Sequence, residues 1–230
     1  MGNELKQIQT ISILGGTGKE GKGLAFRWAR AGYKIIIGSR SLEKAEAAGR
    51  DIHSYLPETA SIEAMLNADA ASAGDVVVLT VPFAFHREML NSVKPQLQGK
   101  ILIDVTVPLV PPKVTRVQMP SAGSAAQEAQ QILGEAVQVV SAFQNISYEN
   151  LLTQEDIDCD VLICGSRKAA REIVLNLVKA AGLVGWDAGP LENSVVVEGL
   201  TSILIGINKQ FGVKSSGIKI TGVSGAGKID

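Results

Sequence analysis

Little in this chain points to nucleic acid, membranes or disulfide chemistry. Lys and Arg number 22 against 23 Asp and Glu, a net charge of −1, so the basic footprint that phosphate backbones require is missing. The stretch Met1–Thr10 is polar and charged rather than apolar like a signal peptide, and Gly2 lacks the hydroxyl residue four positions on that myristoylation needs. The best apolar run, Val76–Phe85, falls well short of the roughly 18 residues of a membrane span. These features read as a cytoplasmic protein. Only two cysteines occur, Cys159 and Cys164, in a segment that reads as one strand. An odd spacing there sends the side chains to opposite faces, so they are expected as two small buried apolar groups, neither a disulfide nor a metal pair.

What is present is a chain of 230 residues, 46% apolar with 24 Gly, enough for one full domain and a smaller appended unit. Ile8–Leu14 is a β-rich apolar run, Gly15-Gly16-Thr17-Gly18 breaks it, and Lys19–Ala31 follows with helical character. Lys34–Gly38 reads as a second strand and Leu42–Tyr55 as a second helix. Further strands are expected at Ala60–Leu66, Asp75–Pro82, Lys100–Val107, Val137–Phe143, Asp160–Cys164, Leu183–Gly189 and Gly217–Val223. The intervening helices are read at Ala68–Ala73, Phe85–Leu97, Ser124–Leu133, Arg167–Ala181 and Asn193–Phe211, with a frayed Gly-rich tail at the end. This alternation predicts an α/β fold, a doubly wound parallel sheet of Rossmann type.

Gly16-x-Gly18-x-x-Gly21 sits directly after a strand and opens a helix, the context in which this fingerprint binds a dinucleotide. The glycines permit a tight turn, close backbone approach to a pyrophosphate, and close helix–sheet packing, with the anion at the helix N-terminus. A purely structural glycine turn is the competing reading. The end of the second strand selects the dinucleotide. NAD enzymes usually place an acid there, whereas this chain has Gly38-Ser39-Arg40, with Lys44 one helical turn on. Arg40 can bind a 2′-phosphate bidentately, and Ser39 can donate to it, which favours NADP(H). The alternative is a solvated face in which Arg40 and Lys44 pair with Glu43 or Glu46.

At Leu14-Gly15-Gly16-Thr17-Gly18, Gly38-Ser39-Arg40 and Glu43-Lys44-Ala45 the sequence resembles the coenzyme F420-dependent NADP oxidoreductases. The resemblance continues through Val78-Leu79-Thr80-Val81-Pro82, Val107-Pro108-Leu109-Val110, Ser141-Ala142-Phe143, Asp187-Ala188-Gly189-Pro190-Leu191 and Gly217-Ile218-x-Ile220-Thr221-Gly222. It implies a Rossmann domain over residues 1–145 and a small C-terminal α/β domain over 146–230. It also implies a cleft between them for the deazaflavin F420 as co-substrate, and a homodimer. Carried over residue by residue, Gly16, Thr17, Gly18, Ser39, Arg40 and Lys44 would hold the dinucleotide, with Thr80, Val81, Pro82 and Phe83 along its nicotinamide half. Pro108, Leu109, Val110, Ala142, Phe143, Gln144 and Asn145 would line the deazaflavin side. Two departures stand out: Gln144 occupies a position where many relatives have His, and the charged pair Lys19-Glu20, placed here with the dinucleotide set, follows the glycine turn where uncharged residues are common.

Hydride transfer from carbon to carbon needs two rings held in contact and no obligatory acid, base or metal, so no catalytic side chain and no metal ligand is assigned. His86 is read either as a contact to the deazaflavin or as an exposed residue of a helical first turn. Phe83 and Phe85 are read as ring-stacking or core, Pro108–Pro111 as a cleft floor or an interdomain connector, and the whole of Pro108–Pro120 as a linker or a functional loop. The long apolar helix Asn193–Phe211 reads as core or dimer interface rather than ligand site. Two other functions fit the same residues: an NADPH-dependent reductase of an ordinary flavin or metal complex, and a redox sensor that binds NADP(H) without turnover.

Overall fold

The computed structural model describes residues 8–153 and 155–223; the Gly-rich tail and most of Met1–Thr10 lie outside them. Strands β1 (Thr10–Leu14), β2 (Lys34–Ser39), β3 (Ile62–Leu66), β4 (Val76–Leu79), β5 (Ile101–Asp104), β6 (Gln138–Ser141), β7 (Asp160–Gly165) and β8 (Val184–Asp187) form one sheet in the order β3-β2-β1-β4-β5-β6-β7-β8. The chain winds outward from β1 to β3, then restarts at β4 on the other side of β1. That reversal between β1 and β4 leaves a crevice at the carboxyl ends of the strands, where open α/β sheets bind ligands.

Helices cover both faces because the central strands are apolar on both. On one face α1 (Lys19–Arg30), α2 (Leu42–His53) and α7 (Lys168–Ala180) bury Leu24, Trp28, Ala48, Ile52, Val174 and Leu177 against Ile11, Ile13, Ile37 and Val78. On the other, α3 (Asn67–Ala73), α4 (His86–Val93) and α5 (Ala125–Leu133) bury Ala70, Leu90, Ala126 and Ala129 against Leu14, Ile36, Leu79 and Leu102. Both cysteines are free and buried. Among the described residues no helix is long and apolar enough to cross a membrane.

Three differences from the expected pattern have local causes. The sheet is not wholly parallel, because β7 runs antiparallel to β6. A parallel return needs a crossover of a dozen or more residues, usually helical, and the connection holds only the four-residue α6 (Tyr148–Leu151), which lies on α1. The strand expected at Gly217–Val223 does not form. The Asp160 amide donates to the Ile218 carbonyl at 2.8 Å, but the Ile220 amide donates to the side chain of Asp160 at 2.8 Å and the Ile218 amide to Cys159 Sγ, so side chains take bonds that a longer ladder would need. The helix expected at Phe85–Leu97 is preceded by a 3₁₀ turn, Phe83–Phe85, and ends at Val93.

Two polar devices fix the sheet's carboxyl edge. Buried Arg27 of α1 donates to the carbonyls of Leu151, Asn150 and Glu155 at 2.9–3.0 Å, clasping the 150–155 loop onto α1. A Cβ on Gly23, one turn earlier, would collide with Leu151. Across the sheet, His86 donates or accepts at 2.7 Å with Asp104, the last residue of β5, and its other ring nitrogen faces Glu128 at 3.5 Å. Glu198 of α8 (Ser194–Phe211) accepts from the Ala125 and Ala126 amides at 2.6 and 3.0 Å, capping α5.

Burial works against a charge on His86, but Asp104 and Glu128 outweigh it and hold its pKa above the ordinary value. Burial pushes Glu198 up to about 8 despite the two amides and His86, which act the other way. Each group binds its proton more tightly in the folded protein than in the unfolded chain. Stability from His86 is full below its unfolded value of roughly 6.5 and is lost as pH rises through the higher folded value. That from Glu198 declines from its unfolded 4.5 up to about 8. Melting temperature measured by differential scanning fluorimetry is therefore expected to fall from about pH 5 to about pH 8, with a shallower slope in Glu198→Gln; a melting temperature that rises across this range refutes the assignment.

Candidate active site

The glycine turn shows what each glycine is for. Gly15 adopts φ +70, which an L side chain resists. The Gly16 amide donates to the Gly38 carbonyl at 3.1 Å, locking the turn to β2. A Cβ on Gly16 would lie 2.8 Å from the Ile13 carbonyl oxygen, and one on Gly21 would lie 2.7 Å from Gly16 Cα and 2.9 Å from Thr80 Oγ1. These two positions are closed to side chains by the protein itself. Gly18 differs: a Cβ there would meet only the Gly15 carbonyl oxygen, at 3.8 Å. The space in front of Gly18 is open, at the start of a helix whose first-turn amides no side chain caps. A pyrophosphate fits that cradle, through backbone donors and the positive end of the helix.

At the end of β2, Ser39 is buried and its Oγ accepts from the Ser41 amide at 3.3 Å, while Arg40 and Lys44 are exposed. Glu46 pairs with Arg50, and among the described residues no carboxylate is bonded to Arg40 or Lys44. The solvated-face alternative thus lacks its ion pairs, and two cations stand available beside the cradle. The Arg40 guanidinium lies 5.4 Å from the centre of the Phe85 ring. Phe85 accordingly belongs to the Arg40 side, not to a ring cleft. Thr80 is held by its amide and hydroxyl, both donating to the Leu14 carbonyl at 3.0 Å, so the Thr80–Phe83 turn borders the crevice directly beside the glycine turn.

Next to it lies a cavity of about 300 Å³, at the lower end of the size that holds a small ligand. Val105, Val107 and Leu109 form one wall, Phe143 to Ser147 another, Thr201, Leu204, Ile205 and Asn208 of α8 a third, with Glu20, Tyr148, Lys214 and Ser216 at the margins. The chain after β5 stays extended, so alternate residues face the cavity. Leu109 does, whereas Pro108 is buried away from it and Val110 is exposed outside it. Phe143 holds φ +74 and packs edge-on to Trp28 at 5.6 Å; a bulky residue in this conformation marks a position the surroundings over-determine. Gln144 and Asn145 follow it into the wall. Ala142 is buried behind the wall.

Of the residues read from sequence, Glu20, Leu109, Phe143, Gln144 and Asn145 meet in this cavity. His86 is not among them: it has no exposed surface, so it is no surface residue, and it meets Asp104 at 2.7 Å, faces Glu128 at 3.5 Å and lies 5.9 Å from the centre of the Phe83 ring. Asp104 links it to the cavity indirectly, because the Asp104 carbonyl accepts from Gln144 Nε2 at 2.7 Å. Sequence reading missed Val105, Val107 and the α8 wall. The alternation Val105-x-Val107-x-Leu109 signals the first two, whereas α8 mixes Thr201 and Asn208 with other polar residues such as Glu198 and Ser202, and its sequence does not single out the third.

A family model described as coenzyme F420-dependent NADP oxidoreductase matches residues 10–108. The F420-dependent NADP reductase of Methanocaldococcus jannaschii is 41% identical over 92% of this chain and 97% of its own length. That of Methanothermobacter thermautotrophicus is 39% identical over 93% and 95% respectively. A crystal structure from Arthrobacter sp. fb24 superposes with a TM-score of 0.77 at 23% identity, covering 93% of this chain and 99% of that one, and shares the fold. With both curated relatives spanned almost end to end, the chain belongs to the coenzyme F420-dependent NADP oxidoreductase family.

Proposed function

We propose that the protein transfers a hydride between NADP(H) and the deazaflavin coenzyme F420. The observation that carries this reading is the open cradle at Gly18, with two uncommitted cations at the end of β2 and an apolar-walled cavity at the same sheet edge. Gly16, Thr17, Gly18 and the first-turn amides of Lys19 and Glu20 would hold the pyrophosphate. Ser39, Arg40 and Lys44 would take the 2′-phosphate. Thr80, Val81, Pro82 and Phe83 would border the nicotinamide, which supplies the hydride when bound. Leu109, Phe143, Gln144 and Asn145, with Val105, Val107 and the α8 wall, would seat the second ring and exclude water from the junction. His86, Pro108, Val110 and Ala142 act as support for that wall.

Residues 146–230 serve in this reading as the smaller unit that completes the cleft. A homodimer through α8 follows from its outer face, where Val196 is 70% and Phe211 68% exposed and Val195, Ile203 and Ile207 are also bare. Two buried free thiols suit a reducing compartment, and we place the protein in the cytoplasm.

Arg40→Asp is expected to raise the Kd for NADP+ roughly ten- to hundredfold, with each charged hydrogen bond worth about 1.5–3 kcal/mol, and to leave the Kd for NAD+ little changed by titration calorimetry; an unchanged NADP+ affinity removes Arg40 from the site. In stopped-flow absorbance, oxidised F420 should bleach rapidly with NADPH and slowly with NADH, and faster than FMN or riboflavin. Reduction of FMN alone would transfer the reading to an ordinary flavin reductase, and NADPH binding with no acceptor reduced would favour the sensor. Val196→Glu should convert a dimer to monomer in sedimentation velocity; a wild-type monomer refutes the α8 interface.

A further inference from the structure

The cavity holds an acid that the hydride step leaves without a role. Glu20 enters from the first turn of α1, and its Oε1 has no exposed surface and no hydrogen-bond partner among the described residues. Gln144 and Asn145, 4% and 3% exposed, also have orphaned oxygens. Their orientation is fixed: Gln144 Nε2 donates to the Asp104 carbonyl at 2.7 Å and Asn145 Nδ2 to the Asp160 carbonyl at 2.6 Å, and a carbonyl can only accept. Turning either amide would oppose two acceptors. A buried acceptor without a donor is costly, and the three side chains that bear that cost gather at one cavity. All three residues line one small cavity, and of them only Glu20 carries a group able to hold a proton reversibly.

We propose that the Glu20 carboxyl supplies the proton that accompanies hydride transfer to the second ring, and takes it back in the reverse direction. This rests on the reading of the cavity as the second-ring site. The balance requires a proton beyond the hydride. NADPH gives up a hydride and becomes NADP+; the acceptor gains two electrons and one proton with it, and needs one more proton on a ring nitrogen. Glu20 releases that proton as its O–H bond breaks and regains it from water. Burial pushes Glu20 up to about 8, so the acid form is present at neutral pH, near the value at which a group both gives and takes a proton efficiently. The titratable groups around it are few. Tyr148 of α6 and Lys214 line the same cavity, and Lys19 on its own helix lies against the Tyr148 ring at 4.6 Å. The walls after β5, after β6 and on α8 contribute only neutral side chains.

The test compares wild type, Glu20→Gln and Glu20→Asp with NADPH, oxidised F420 and their products. Bound-NADPH fluorescence first checks that each variant is folded and binds the dinucleotide. In wild type, F420 reduction should decline as pH rises through about 8, and NADP+ reduction by reduced F420 should increase through the same value. Glu20→Gln should slow both by about 100-fold or more and lose both inflections, while Glu20→Asp restores part of the rate with a displaced inflection. Independently of turnover, the infrared difference spectrum between wild type and Glu20→Gln, each with NADPH alone, should show a neutral carboxyl band at pH 7 that disappears above about 8, the Glu198 carboxyl cancelling because both proteins carry it. Wild-type rates and inflections in Glu20→Gln, or no such band, overturn the role of Glu20. A wild-type protein that binds NADPH but never reduces F420 overturns the reading of the cavity instead.

Discussion

The contact on which the site depends is the approach of α1 to the turn between β1 and the end of β4. Gly21 rests against Gly16 and the Thr80 hydroxyl at a distance no Cβ survives, and Thr80 is bonded twice to the Leu14 carbonyl. One helix is thereby pressed into the crevice where the strand order reverses. Its N-terminus faces the open space before Gly18, and its next residues reach the cavity. Any side chain at Gly21 would push α1 outward, moving the anion cradle and Glu20 together. The open cradle and the position of Glu20 are consequences of a single packing constraint.

The far wall is positioned differently, by buried charge rather than by close packing. Asp104 ends β5 and carries two duties: its carboxylate meets His86 and the Thr106 amide, and its carbonyl receives Gln144. Ion pairs of this depth contribute little net stability, yet breaking one is costly because the survivor is stranded. What the cluster supplies is orientation. His86, Glu128 and Glu198 tie α4, α5 and α8 to the point from which the amide wall hangs, so the cleft walls are braced from behind by buried polar groups.

Much of this was legible in the sequence, for identifiable reasons. Central strands buried on both faces read as continuous apolar runs, and the glycine spacing reports sterics that hold wherever the backbone is this close. Ser39, Arg40 and Lys44 lie within six residues, so their grouping is local. The cavity is not local. His86 carries no mark of burial, since its position at a helix start fits an exposed residue equally well, and only the fold brings Asp104 and Glu128 to it. Gly217–Val223 alternates like a strand, but the Asp160 carboxylate takes a bond that a strand would have needed. The inward facing of Val107 and Leu109, and the outward facing of Pro108 and Val110, depends on an extended path that the proline content of the segment obscured.

The clasp made by Arg27 has a consequence for the cavity. Three carbonyl bonds to one guanidinium, beside a helix contact with no room for a Cβ, rivet the 146–151 wall to the dinucleotide-binding helix. That wall is a fixed jamb. The stretch carrying Lys214 and Ser216 is joined to the same frame by single bonds, Ser147 Oγ donating to the Lys214 carbonyl at 3.2 Å and the Ser216 amide to Asn208 Oδ1 of α8 at 2.9 Å.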